Sequence, residues 1–202
     1  MTTVVDVQNS IDSIDGIQYF RNFVDENLSA RIKRILMDEV AHSECEILVD
    51  GVRHPAPRLV SSFSDVPLSL DGMDVSRTWT SELVDLRDSV CEQFGLTSNY
   101  ALANLYRDEN DHAGWHSDKA SLHVEGSRIA IISFGSPRTF AIRSYANPAD
   151  VQTFIMEEGS IVLMSLGLQS THEHSVPKES CPTAPRLSIT LRDIKMLDEY
   201  LV

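Results

Sequence analysis

His116 and Asp118 stand two residues apart, and His174 follows much later in the chain. Two imidazoles and one carboxylate can cover one face of an octahedral Fe(II) and leave its other positions open. On an extended strand residues i and i+2 project to the same side, so His116 and Asp118 could reach one ion together. The third ligand must then come from a distant strand that folds back. A His-x-Asp triplet alone is a weak signal. A second cluster, Arg186-Leu-Ser-Ile-Thr-Leu-Arg192, strengthens it. There Leu187, Ile189 and Leu191 alternate with Arg186, Ser188, Thr190 and Arg192, a period of two that predicts a strand. One face is apolar and the other presents two guanidiniums. A guanidinium is a planar fork that pairs bidentately with a carboxylate. Two such forks facing an iron site suit a small dicarboxylate. The competing reading is the solvated face of an edge strand.

Other elements must position these groups. Tyr100–Tyr106 reads as a strand, with Asn104 and Tyr106 on one face. Both could donate to the same bound carboxylate, or be polar groups satisfied in a core. A polar turn, residues 107–111, leads into His112-Ala-Gly-Trp-His116. Residues 128–134 and 138–143 read as a β-hairpin around Gly135-Ser-Pro137. Residues 151–156 and 160–165 read as another, with Glu157-Glu158-Gly159 as its turn. Short strands with close turns predict an antiparallel barrel or jelly roll for this half.

The N-terminal half reads as helical. Asp25 is an N-cap, and Leu28, Ile32, Ile35, Leu36 and Val40 follow helical spacing. Thr80 caps a second helix with Leu83, Leu86, Val90 and Phe94 on one stripe, stopped by Gly95. Such helices would cover one outer face of the sheet. Between them, residues 45–78 hold Pro55, Pro57, Pro67 and Gly72, show weak periodicity, and read as a loop or lid. The expected class is α+β, mainly β: a jelly roll with N-terminal covering helices.

At 202 residues the chain is expected to form one domain, 1–202. Its apolar runs are too short to span a bilayer, and its first residues lack a signal-peptide pattern. Cys45, Cys91 and Cys181 are far apart and suggest reduced thiols. A cytoplasmic protein is expected, nuclear if eukaryotic, not secreted and not membrane-bound; oligomeric state stays open. The formal net charge is −13, from 30 acidic and 17 basic residues. Phosphate backbones favour basic partners, so nucleic acid would need a local patch. Arg53, His54 and Arg58 with Arg138 and Arg143 could form one, or be scattered solvated groups.

Together, Asn104-x-Tyr106, His116-x-Asp118, His174 and the two arginines resemble the AlkB family of 2-oxoglutarate/Fe(II)-dependent dioxygenases. The resemblance covers roughly residues 47 to 194. It is strongest at residues 111–118, His174-Ser-Val-Pro177 and residues 184–192. Residues 49–65 are similar to the nucleotide-recognition lid of members that act on nucleic acid, within an N-terminal part of about 1–98 that precedes a catalytic β-core of about 99–194. The resemblance implies a double-stranded β-helix. It implies Fe(II) on His116, Asp118 and His174, 2-oxoglutarate on Arg186 and Arg192 with Asn104 and Tyr106 assisting, and O2 as the oxidant. His172 competes with His174, which fits the family motif better. The activity implied is oxidative demethylation of N-alkylated bases, releasing succinate, CO2 and formaldehyde.

Two departures bear on substrate. Repair members of the family usually carry an acidic residue two positions after the ligand aspartate; here Ala120 stands there and cannot accept a hydrogen bond. The hairpin tip reads Val49-Asp50-Gly51, where an aspartate would meet phosphate repulsion, which favours a single strand over a tight duplex. Arg58, Phe63 and Trp115 are candidate substrate contacts, with core packing the alternative for the two aromatics. His112 and His123 read as satisfied polar or surface histidines. A hydroxylase of a metabolite, nucleoside or protein side chain, using the same iron chemistry, is the competing function. A non-catalytic binding module is a third.

Overall fold

The computed structural model describes residues 14–49, 51–70, 73–196 and 201. Asp25 caps the first helix, α1 (Glu26–Lys33), its carboxylate accepting from the backbone N–H groups of Asn27 and Leu28. The helix runs on as a π-helical turn, Arg34–Glu39. Thr80 caps α2 (Ser81–Phe94), and Gly95, in the left-handed region, ends it.

Eleven strands follow the order β1 (Ile17–Phe20), β2 (Ser43–Val49), β3 (Val52–Ser64), β4 (Tyr100–Tyr106), β5 (Ala113–His116) and β6 (Arg128–Gly135), then β7 (Arg138–Ser144), β8 (Asn147–Met156), β9 (Ile161–Ser165), β10 (His172–Val176) and β11 (Arg186–Arg192). They build a major sheet, β1-β9-β6-β11-β4-β3-β2, and a minor sheet, β5-β10-β7-β8. Each pairing is antiparallel. The helices cover one face of the major sheet. Ile32, Leu36, Leu83, Leu86 and Val90 pack there with Ala101, Ala130, Leu187 and Ile189. The opposite face packs on the minor sheet through Ile129, Ile131, Val162 and Met164 against Phe140, Ile142 and Met156. This is the jelly roll with covering helices that the strand pattern predicts.

Both expected hairpins turn out to be crossings between the sheets. β6 pairs with β9 and β11, whereas β7 pairs with β8 and β10. Gly135-Ser-Pro137 therefore carries the chain from one sheet to the other. Glu157-Glu158-Gly159 carries it back, from β8 to β9. The local hairpin is β7–β8, turning at Tyr145-Ala146. Turn residues mark where a chain reverses, but which sheet takes the next strand is settled by tertiary packing.

The described residues of 45–78 hold more regular structure than a loop. β2 and β3 form a hairpin, and β3 runs on to pair with β4. The β4 pairing covers only Leu59–Ser64. Pro55 and Pro57 thus lie where β3 has a single partner, the edge position in which a missing N–H is tolerated. After Ser64 the chain is mostly irregular and is tied back by Ser64 N–H to Arg77 O and Arg77 N–H to Ser62 O, 3.0 and 2.8 Å. Asp50 of the hairpin tip, Gly72, and the first residues read for a leader lie outside the described residues. No helix among the described residues is long and apolar enough to cross a membrane.

Gly135 has φ +85°, and a Cβ there would sit 2.6 Å from the Pro185 carbonyl oxygen. Gly135→Ala is expected to destabilise the fold by about 2 kcal/mol or more, from left-handed strain plus overlap. Urea denaturation of the variant beside wild type measures it.

Candidate active site

A cavity of about 260 Å³ is lined by β4, β5, β10 and β11, among other segments. The β5–β10 pairing sets His174 directly opposite His116, and their rings lie 4.4 Å apart. Phe140 stacks against His174 at 5.4 Å. His116 Nδ1 lies 2.8 Å from the Gly114 carbonyl. A carbonyl only accepts, so Nδ1 carries the proton and Nε2 keeps the lone pair. Asp118 follows β5 on a backbone N–H held by Gln169 Oε1 at 2.9 Å. Its Oδ1 accepts from Arg192 Nη2 at 2.6 Å.

The protonation states follow from these neighbours. Burial, the adjacent His116 and Arg192 push His174 down to about 3, against the pull of Asp118. Burial alone would raise Asp118, but Arg192 and the two imidazoles together hold it below the usual carboxylate range. His174 is therefore neutral and Asp118 ionised at neutral pH, the forms that bind a metal ion without first losing protons. Among the described residues no three His, Cys, Asp or Glu side chains are already gathered into a closed metal cluster; Asp118 commits one oxygen to Arg192.

β11 supplies the other wall. Arg186, Ser188, Thr190 and Arg192 all line the cavity. Arg186 is 1% exposed. Its Nε donates to Ser133 Oγ at 2.9 Å, while Nη1 and Nη2 have no partner. Its guanidinium lies 5.1 Å from the Tyr106 ring centroid. Asn104 and Tyr106 border the same space. Asn104 Oδ1 accepts from Arg58 Nε at 2.9 Å, so its amide NH2 is the half that can serve a ligand. A buried cation with open donors is costly unless an anion meets it. The donor set thus fits both groups of the iron chemistry: a carboxylate on the arginine fork, and Fe(II) on nitrogen and oxygen ligands.

The sequence model of the 2OG-Fe(II) oxygenase superfamily matches residues 16–192. The chain belongs to this superfamily. Mouse "DNA oxidative demethylase ALKBH2" is 31% identical over 177 residues, covering 81% of this chain and 74% of that one. Mouse "Alpha-ketoglutarate-dependent dioxygenase alkB homolog 3" is 27% identical over 201 residues, 95% of this chain and 70% of that one. This places the chain in the AlkB family, as a 2-oxoglutarate- and Fe(II)-dependent dioxygenase. A solved structure, "The structure of OsALKBH1", shares the fold at a TM-score of 0.61 and 14% identity, covering 88% of this chain and 98% of that one.

Not every candidate residue of this AlkB-family chain reaches the cavity. Phe63 is 1% exposed and packs in the core beneath the helices, so it is not open to a base. Its position on β3 points it to the helix side of the sheet. Trp115 does not line the cavity and carries the Arg143 guanidinium 4.1 Å above its ring. Arg58 does line it, but two of its nitrogens brace the site, bonding Asn104 and the His112 carbonyl. The basic patch considered from sequence is dispersed. Arg138 is buried and bonds the carbonyls of Asp108, Asp111 and Pro177. Arg143 pairs with Glu173 and Arg53 with Glu46. His172 borders a separate small crevice with Arg143 and does not line the main cavity. His112 is held by Asn110 O and Pro57 O. His123, read as a satisfied or surface group, is instead 2% exposed, lines the cavity, and has an Nε2 without a partner.

The His174 environment makes stability pH-dependent. Unfolded His takes up a proton below about 6.5, while the folded one resists until about 3. Stability is therefore fully present above 6.5 and is lost as pH falls from there toward 3. At pH 5 the expected loss from His174 is about 2 kcal/mol. Urea titrations of metal-free protein at pH 7.5, 6 and 5 should show that slope, and His174→Gln should flatten it.

Proposed function

We propose that the chain oxidatively demethylates N-alkylated bases in single-stranded DNA or RNA. In this reading His116, Asp118 and His174 hold Fe(II). Arg186 and Arg192 take the two carboxylates of 2-oxoglutarate, with the Asn104 amide and Tyr106 assisting. The buried, open guanidinium of Arg186 is the observation that carries it, because a carboxylate supplies what its two free nitrogens lack. Iron, 2-oxoglutarate and O2 together supply an oxidant able to hydroxylate a C–H bond, with succinate and CO2 as by-products.

The chain's own residues do the positioning. Arg192 ties Asp118 to the co-substrate wall, so ligand and carboxylate clamp hold one register. Phe140 backs His174. One oxygen atom enters the N–CH3 group to give N–CH2OH, and the other ends in succinate. The N–C bond of N–CH2OH then breaks, its electron pair returning to the nitrogen, and the carbon leaves as formaldehyde as the hydroxyl proton is released. The relative named as a DNA oxidative demethylase supports a nucleic-acid substrate. The net charge of −13 and an aspartate at position 50 of the sequence favour a single strand over a duplex.

A second reading keeps the iron chemistry and replaces the nucleic acid with a metabolite, a nucleoside or a protein side chain. It is favoured by the pairing or burial of Arg53, Arg138 and Arg143, three cations that are then not open to phosphates. Succinate measured with and without single-stranded oligonucleotides carrying N-methyl bases separates the two. Succinate gain matched by loss of a methyl mass is the expected result; succinate with every oligonucleotide intact would favour the second reading.

Asp118→Ala is expected to abolish that turnover. Arg186→Met is expected to raise the 2-oxoglutarate KM about 100-fold, since truncating one side of a buried charge pair costs about 3 kcal/mol. Iron affinity, read by anaerobic titration, should change far less, and an equal loss would sink the role given to Arg186. Arg192→Ala is a less clean test, because Arg192 also holds Asp118.

A further inference from the structure

His123 has no part in the iron or 2-oxoglutarate sets, yet it is fixed as firmly as their members. Residues 122–124 run beside the end of β11. Val124 N–H bonds Asp193 O and Lys195 N–H bonds Leu122 O, both at 2.9 Å, and His123 bridges Ile194. Directly paired residues project to the same face of a sheet. Ile194 continues the alternation of Arg186, Ser188, Thr190 and Arg192, and lines the cavity with them. The His123 side chain therefore projects to the cavity side, where it too is part of the lining.

The tautomer of that ring is determined. Nδ1 lies 3.0 Å from the Lys119 carbonyl and must donate to it. Burial, only partly offset by that hydrogen bond and reinforced by Arg192, keeps the ring below its ordinary pKa. A neutral ring with its proton on Nδ1 carries a lone pair on Nε2. That atom is buried and has no partner. An acceptor left open in a buried site is costly, and a ligand donor would offset that cost. Leu70, Met73, Leu122 and Ile194 line the cavity with it, and so do Tyr100 and Arg192. Apolar side chains beside one open lone pair suit a heteroaromatic ring bearing an N–H donor. Ala120, the nearby position considered from sequence, is exposed and absent from the lining.

We propose that His123 Nε2 is the specificity-determining acceptor of this site, taking a hydrogen bond from the exocyclic amino group of an alkylated adenine or cytosine. The inference rests on the demethylase reading. A base with a carbonyl at that position, such as N-methylthymine, would set an acceptor against an acceptor and be disfavoured.

The test uses the full chain with Fe(II), ascorbate and 2-oxoglutarate. Single-stranded oligonucleotides carry 1-methyladenine, 3-methylcytosine or 3-methylthymine, and kcat/KM is measured for each. Wild type is expected to favour the two amino-bearing bases. His123→Phe keeps a buried ring without the acceptor, and should cut the preference for 1-methyladenine over 3-methylthymine by tenfold or more. His123→Gln, which restores an acceptor, should recover much of it. A merely structural role would lower every substrate together and leave the ratio intact, and a constant ratio in both variants overturns the proposal. So does wild type that prefers 3-methylthymine or shows no preference, a result that needs no variant to fold. Wild type that demethylates no oligonucleotide would instead overturn the demethylase reading itself, and this proposal with it.

Discussion

β11 lies between β4 and β6 at the centre of the major sheet, and both of its faces are used. Leu187, Ile189 and Leu191 are 0–2% exposed in the core beneath the helices. Arg186, Ser188, Thr190 and Arg192 face the cavity. A slip of one residue would exchange the two sets, driving two guanidiniums into hydrocarbon and three aliphatic side chains into a polar site. The same two-residue period therefore fixes the fold and the functional surface together. The ladders to β4 and β6 then align Asn104, Tyr106 and Ser133 with the arginines they serve.

The electrostatics of the cavity extend from that strand. Arg192 leans on Asp118 and keeps it ionised, and the ionised carboxylate stands near two imidazoles crowded against each other. Arg186, deeper in, is braced by Ser133 and faces the Tyr106 ring, which Arg138 also approaches, at 5.4 Å. Arg138 is structural, yet it shapes the same wall, because it gathers the carbonyls of the loop before β5 and of the segment after β10. The two strands that carry His116 and His174 are thus anchored by a cation that is not part of the cavity lining.

Local chemistry was readable in the sequence wherever one element carries it. The alternation of β11, the shared face of Asn104 and Tyr106, and the caps at Asp25, Thr80 and Gly95 all depend on neighbours a few residues away. What was not readable depends on partners far along the chain. Gly135-Ser-Pro137 and Glu157-Glu158-Gly159 carry turn chemistry, but nothing in them says that the next strand joins the other sheet. The prolines of β3 looked like loop residues because its edge position only exists once β2 and β4 are placed. Phe63 looked like a stacking aromatic because its direction is set by β4. His123 looked incidental because its face is set by Ile194, seventy-one positions later.

The position of β11 also has a consequence for how the chain is made. The strand that occupies the middle of the major sheet is the last of the eleven to be synthesised. Until it arrives, β4 and β6 each have an unpaired inner edge, and exposed strand edges are templates for pairing with other chains. A nascent chain stopped anywhere before residue 186 lacks the element that joins β6 to β4, as well as the two arginines that β11 brings to the cavity. One strand thus joins the two parts of the sheet and supplies the arginine wall, so a chain that lacks it has neither.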